Sequence, residues 1–305
     1  AGAGREDGSG EGGTVAWREL LAETEQRLRD AGFDRYEVDA RRIVEQASGH
    51  EGADFHLGLS EPATVSGVAA LDAMVERRLS GEPLQYVVGR WGFRQLDLMI
   101  DGRVLIPRPE TEVVAGRAVD ELSRLIADGV AGSPATAVDL GTGSGAIGLS
   151  LAFEVRRAEV WLTDVSADAA TVARANLAGL GRAAVGVQVV EGSWFDALPT
   201  DRRGRLDLVV SNPPYVRDDE VLPADVTDWE PRQALVPGPT GFEAYEVLVP
   251  GAAEWLAPHG ALVLECAPDQ VPGLIERGAA ARFAEVESFE DLAGRPRGII
   301  ARHPG

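Results

Sequence analysis

From Trp17 onward, Trp17, Leu20, Leu21, Thr24 and Leu28 recur at three- and four-residue steps, until Gly32 breaks the pattern. Val38 to Ala47 repeats that spacing and stops at Gly49. Val65 to Leu79 repeats it again, with Arg77 and Arg78 in the last turn, where cations suit the negative end of a helix, and Gly81 beyond. The spacing predicts a small helical domain over residues 14–80, which taken alone reads as a packing or linker module. The period then changes. Residues 86–106, YVVGRWGFRQLDLMIDGRVLI, alternate, and Asp101-Gly102 is a two-residue hairpin signal. Residues 81–106 are therefore expected to supply a linker and a β-hairpin between two domains. Pro109 suits a first helical turn, and Glu110 and Glu112 suit its positive end. Ahead of all this, residues 1–13, AGAGREDGSGEGG, carry no apolar pattern and read as a disordered tail.

After Ser133-Pro134 strand and helix signals alternate. Strands are predicted at 136–141, 158–164, 186–192, 206–211, 260–267, 284–289 and 297–303, and helices at 145–155, 166–180, 242–257 and 269–281. This alternation predicts an α/β domain over 107–305 with a doubly wound, mostly parallel sheet and helices on both faces. Ligands of such sheets bind at the carboxyl ends of the strands, near the switch in strand order.

Composition narrows the classes. A length of 305 residues suits one large domain with a smaller one, and 45% apolar residues allow a sizeable core. No run approaches 18 uninterrupted apolar residues, so no membrane span is expected, and the N-terminus does not read as a secretion signal. The single cysteine, Cys266, excludes an internal disulfide and fits a reducing cytoplasm. His50, His56, His259 and His303 form no metal-ligand spacing. The formal charge is −20, and all 29 cationic side chains are arginine. A protein that tracks phosphates wants the opposite sign, so stable nucleic-acid binding is not expected. A monomer is the default.

Two stretches carry candidate chemistry. In VDLGTGSGAIGLSLA, Val138 to Ala152, the glycines 141, 143 and 145 follow an apolar strand and open a helix. Glycine there permits unusual φ values and close approach of a ligand to the backbone. Gly143, Gly145 and Gly148 also satisfy a literal G-x-G-x-x-G, so a dinucleotide site is a formal alternative. Asp164, ending the second strand, suits ribose hydroxyls in either case. Asp139 tilts the choice toward S-adenosylmethionine, because a carboxylate can meet the donor's cationic amino-acid end, directly or through water, whereas a pyrophosphate would repel it.

The second stretch, VVSNPPYVRDD, ends the fourth strand at Asn212. A planar nitrogen, as in a carboxamide or an exocyclic base amine, has a delocalised lone pair and is a poor nucleophile. Methyl transfer makes it cationic and strengthens its N–H donors. Two fixed acceptor oxygens, the Asn212 side chain and the Pro213 carbonyl, would bind that transition state better than the ground state. Pro213 and Pro214 fix φ and offer no competing N–H. Tyr215 can lie against the π-face of the acceptor. Taken alone, a Pro-Pro pair would simply end a strand.

With these motifs on hand, the chain resembles the release-factor glutamine methyltransferase family (HemK/PrmC type), class I methyltransferases dependent on S-adenosylmethionine. The resemblance spans roughly residues 15–303 and is carried by GEPLQYVVGRWGF (81–93), IPRPETE (106–112), DLGTGSGAIGLSLA (139–152), SNPPYV (211–216), WEPRQAL (229–235) and DLAGRPR (291–297). It implies methylation, at N5, of the glutamine in the Gly-Gly-Gln tripeptide of class 1 peptide chain release factors. It implies that Gly141, Thr142, Gly143, Ser144 and Gly145 hold the methionine part of the donor, that Asp164 takes the ribose, that Trp194 flanks the adenine and that Asn212 also borders the donor. Asn212, Pro213, Pro214 and Tyr215 would hold the glutamine amide. The N-terminal helices would dock the release factor, residues 216–240 would wall the glutamine pocket, and Arg108 and Thr111 would line the donor site. Glu230 and Arg232 either pair across their loop or stand as solvated charges. Ser193 stands where the family usually has Asp, and LECAPDQ (264–270) departs from the family's fifth-strand end. Two other readings remain open: an adenine-N6 methyltransferase on DNA or RNA, and a donor-binding protein without transferase activity.

Overall fold

The computed structural model describes residues 14–305. The tail expected at residues 1–13 lies outside the described residues. The described chain divides into two compact units, one ending at Val88 and the other spanning Gly89–Gly305.

The first unit contains α1 (Trp17–Asp30), α2 (Tyr36–Ser48), α3 (Gly52–Gly58), α4 (Val65–Leu79) and α5 (Leu84–Val88). Its core gathers Trp17, Leu28, Ile43, Val44, Phe55, Leu71 and Val75. Gly67 lets α4 approach the Trp17 ring, since a β-carbon there would come within 2.8 Å of it. Thr64 caps α4 by accepting the Gly67 N–H at 3.0 Å. Arg78 of α4 pairs with the buried Asp39 of α2 at 2.7 Å.

The alternating run expected over 86–106 divides. Tyr86, Val87 and Val88 are helical, because all three are buried together and no polar residue alternates with them. The hairpin is shorter than expected. Strands β1 (Arg90–Phe93) and β2 (Leu96–Met99) pair antiparallel and turn at Arg94-Gln95, not at Asp101-Gly102. Arg94 takes a φ of 51° there. Two glutamates hold it: its N–H reaches Glu112 at 3.1 Å and its guanidinium grips Glu154 at 2.7 Å. Asp101 instead folds onto Arg103, accepting both its N–H and its guanidinium.

After the hairpin come α6 (Pro109–Ala127), β3 (Thr136–Leu140), α7 (Ala146–Glu154), β4 (Glu159–Asp164), α8 (Ala167–Ala178), β5 (Val187–Glu191), β6 (Leu206–Ser211), α9 (Ala224–Thr227), α10 (Glu243–Trp255), β7 (Leu256–Glu265), α11 (Val271–Ala280), β8 (Glu285–Glu290) and β9 (Pro296–Arg302). Strands β3 to β9 form one sheet of order β5-β4-β3-β6-β7-β9-β8. The first five are parallel, and β9 runs antiparallel to both of its neighbours. Every residue of β3 and β6 is buried, as expected of central strands covered on both faces, whereas the edge strand β8 is largely exposed. The chain runs from β3 outward through β4 and β5, then returns to the other side of β3 as β6. The carboxyl ends of β3 and β6 therefore lie side by side at the topological switch.

Candidate active site

Two adjacent strand ends build the site. Asp139 pairs in register with Val210, and the Ser211 hydroxyl donates to the Leu140 carbonyl at 2.6 Å. The glycine loop and Asn212 thus leave the sheet next to each other.

The loop's geometry follows from its glycines. Gly141, Gly143 and Gly145 take φ values of 72°, 55° and 89°, a region costly for residues with a β-carbon. Gly148 meets a different demand, since a β-carbon there would lie 2.7 Å from Leu162. Asp139 is 1% exposed and organises the loop from below. Its Oδ2 accepts from the Thr142 hydroxyl at 2.6 Å and from the Gly148 N–H at 2.8 Å, while Oδ1 is buried without a hydrogen bond. Burial raises its pKa to about 6 against these two bonds. Asn176 of α8 braces the same loop. Its amide nitrogen donates to the Ser144 and Met99 carbonyls at 2.9 Å, and its oxygen accepts the Met99 N–H at 2.7 Å.

Above the loop lies a cleft lined by Gly141, Gly143, Asp164, Ser193, Trp194 and Asn212. Asp164 accepts the N–H groups of Gly143 and Ser166, each at 2.9 Å, and burial raises its pKa despite both bonds. Trp194, at a φ of 45°, lays its ring against Gly141. The expected donor residues thus separate. Gly141, Gly143, Asp164, Trp194 and Asn212 meet on the cleft wall, whereas Thr142, Ser144 and Gly145 are buried beneath it, as is Asp139.

A second, smaller cavity adjoins the first. Asn212, Pro213, Tyr215, Arg108 and Glu265 line it, with Val216, Ala234 and Leu235 from the chain that follows β6. Asn212 borders both cavities, and its amide nitrogen donates to Thr111 at 3.3 Å. Pro214 is on the wall of the first. Arg108 lies on the second, and Thr111 is buried behind Asn212. Sequence reasoning passed over Glu265. An acid closing the apolar run ALVLE was its signal. It is 2% exposed, and burial lifts its pKa to about 7. The Tyr215 hydroxyl donates to it at 3.4 Å, and burial with this carboxylate pushes the phenol's own pKa up.

Glu230 and Arg232 do not pair. Glu230, 5% exposed, accepts the Ile106 N–H at 3.0 Å and the Arg108 guanidinium, while Arg232 pairs with Asp218 at the surface. The buried carboxylate needs two donors, and the segment after β2 supplies both. Two walls of the site are clamped together as a result. Among the described residues, no cluster of His, Cys, Asp or Glu is placed to hold a metal ion, and no helix is long and apolar enough to cross a membrane.

Sheet order, glycine loop and the acid closing β4 define a class I methyltransferase. The catalytic domain of hMettl16, in a complex with MAT2A 3′UTR hairpin 6, shares this fold with a TM-score of 0.51 at 14% identity, over 78% of this chain and 81% of that one. Residues 19–89 match the PrmC N-terminal domain, and residues 108–228 match the methyltransferase small domain. The release factor glutamine methyltransferase of Moorella thermoacetica is 37% identical over 287 residues, covering 93% of this chain and 97% of that protein. That of Burkholderia pseudomallei is 39% identical, covering 88% and 92%. The chain belongs to the release factor glutamine methyltransferase family, as its motifs implied.

Proposed function

We propose that this protein transfers a methyl group from S-adenosylmethionine to N5 of the glutamine in the Gly-Gly-Gln tripeptide of class 1 peptide chain release factors. Its relatives over nearly the whole chain are named release factor glutamine methyltransferases, which supports the substrate class. The observation that carries the chemistry is the place of Asn212 on the border of two cavities. One is fit for the donor and the other for an amide.

The residues of the first cavity suit the donor. A glycine wall admits close approach, a strand-end carboxylate keeps lone pairs for ribose hydroxyls, and an indole face suits a purine. Bound there, S-adenosylmethionine supplies an electrophilic methyl group on a sulfonium. The protein then has to hold the acceptor nitrogen in line and favour its positive charge. The Asn212 side-chain oxygen and the Pro213 carbonyl accept the two N–H groups of the amide, and both bonds strengthen as the nitrogen becomes cationic. Tyr215 walls the acceptor, and the rigid prolines keep the two oxygens from relaxing. No nucleophile or general base is needed before transfer, because the methylated nitrogen is strongly acidic and gives up its proton afterwards. The helical unit is the candidate platform for the body of the release factor.

Incubating enzyme and donor with purified release factor, followed by peptide mass spectrometry, tests the reading. One added methyl on the Gly-Gly-Gln peptide is expected. An unmodified peptide, with methyl appearing instead on adenine in an oligonucleotide run alongside, would replace it with the adenine-N6 reading.

A further inference from the structure

Asn212 can serve as proposed only if its oxygen faces the acceptor. A carboxamide presents oxygen and nitrogen with nearly equal shape, and partners alone decide which end faces where. Reversed, Asn212 would aim N–H donors at the acceptor's own N–H groups. Nothing in Asn-Pro-Pro-Tyr prevents that reversal, so the constraint has to come from outside the motif.

Behind Asn212 lies a short polar chain walled off from solvent. Its amide nitrogen donates to the Thr111 hydroxyl oxygen at 3.3 Å. Thr111 is 4% exposed, and its hydroxyl sits beside the Glu265 carboxylate, an interaction that lowers the carboxyl's pKa. Glu265 is 2% exposed, and its Oε2 is buried without a hydrogen-bond partner. A buried carboxylate oxygen short of donors draws any hydroxyl hydrogen within reach, because charge-assisted bonds are the strong ones. With its hydrogen committed to Glu265, Thr111 can only accept from Asn212. The Asn212 nitrogen therefore turns inward, and the oxygen on the same planar carbon turns away from Thr111.

We propose that Thr111 and Glu265 are positioning residues that fix which end of the Asn212 carboxamide meets the acceptor. The inference rests on the acceptor role proposed for Asn212 and supplies its missing constraint. Reversing the chain reverses the amide: a protonated Glu265 can donate to Thr111, which then donates to the Asn212 oxygen and draws it inward. The charged and titratable groups facing Glu265 are Arg297 of β9, Glu110 of α6, Tyr245 of α10 and Tyr215, with Cys266 next to it on the chain and Arg108 on the same cavity wall. Arg297 favours the carboxylate and Glu110 opposes it.

The test compares the full-length wild type with Thr111→Val, Thr111→Ser and Glu265→Gln, measuring kcat and KM for methyl transfer to release factor across pH and donor affinity by calorimetry. Valine keeps the volume and removes the hydroxyl; serine keeps the hydroxyl. Thr111→Val is expected to lower kcat by about tenfold to a hundredfold, short of the ~10²–10³ that follows loss of a direct transition-state partner, with donor affinity within about twofold. Thr111→Ser should recover most of the loss. Wild-type kcat should climb with pH across about 7, where Glu265 ionises, and that step should vanish in Thr111→Val and Glu265→Gln. Wild-type kcat in Thr111→Val, or equal impairment of the valine and serine variants, overturns the inference. Failure of the release-factor reading shows separately, in the wild type. If that enzyme methylates adenine instead, the same comparison runs on the oligonucleotide, and an enzyme methylating neither acceptor overturns both.

Discussion

The indole of Trp194 lies so close to Gly141 that a β-carbon on that glycine would sit 3.2 Å from the ring. Gly141 also takes a φ of 72°, which L side chains rarely adopt. Both constraints act on the wall of the larger cavity. Gly141→Ala is therefore expected to push the indole out of place and strain the loop, weakening donor affinity about tenfold or more, equivalent to ~1.4 kcal/mol. Isothermal titration with S-adenosylmethionine measures this, and unchanged affinity would remove the indole from the donor site.

Asn212→Ala removes one of the two oxygens proposed to grip the amide. Turnover should fall by about 10²–10³, while donor affinity stays nearly intact because the glycine loop and Asp164 are untouched. Steady-state kinetics beside donor titration separates the two effects. Equal losses in both would mark Asn212 as a donor residue only.

Asp164→Ala is expected to weaken donor binding and to loosen the loop, since the Gly143 N–H loses its acceptor. Calorimetry should register lower affinity, with a smaller deficit in Asp164→Asn, which keeps an acceptor oxygen.

Asp139 makes the enzyme's stability depend on pH. Its pKa is about 6 in the folded chain against an ordinary 3.8, so the folded state holds the proton longer than the unfolded one. A raised acid is a stabilising proton site at low pH. Its contribution is full below about 4, declines as pH rises to about 6, and is absent above that. The span corresponds to about 3 kcal/mol. Asp139→Asn can keep both bonds to its oxygen without the charge. Urea unfolding from pH 4 to 7 should show a steeper fall for the wild type than for Asp139→Asn, and parallel curves would refute the assignment.

Glu230→Ala strands the buried Ile106 N–H and frees Arg108. An unsatisfied buried donor costs about 1–3 kcal/mol. Limited proteolysis within residues 216–240 should accelerate, and KM for the release factor should rise. Cleavage at the wild-type rate would mean the clamp does not hold the loop.

Much of this was legible because local rules and tertiary demands agree in the catalytic unit. The continuous apolar runs of β3 and β6 read as buried strands, and Gly141, Gly143 and Gly145 announced a loop that no other residue tolerates. Disagreement arose where distant residues decide. Tyr86 to Val88 alternate poorly because a helical core absorbs all three. Asp101-Gly102 is a strong turn signal, yet Glu112 and Glu154, far along the chain, fix the turn at Arg94 instead. The partner of Glu230 could not be read from its neighbours, since Arg108 stands 122 residues away and only the fold brings it there. Glu265 was visible as an acid in an apolar strand, but its importance lies in Thr111 and Tyr215, which the fold alone brings to it.

Asn176 has a practical corollary for anyone cutting this chain into pieces. Two of its three bonds end on the Met99 backbone, and the third ends on the glycine loop. A fragment starting at residue 107 would discard Met99 and leave a buried amide with one of its three bonds under that loop. The same cut removes Arg94, leaving Glu154 without its guanidinium and the Glu112 carboxylate without the Arg94 N–H. A piece that keeps this loop's supports therefore has to begin ahead of the hairpin, at Gly89, even though no hairpin side chain supplies an atom to the proposed reaction.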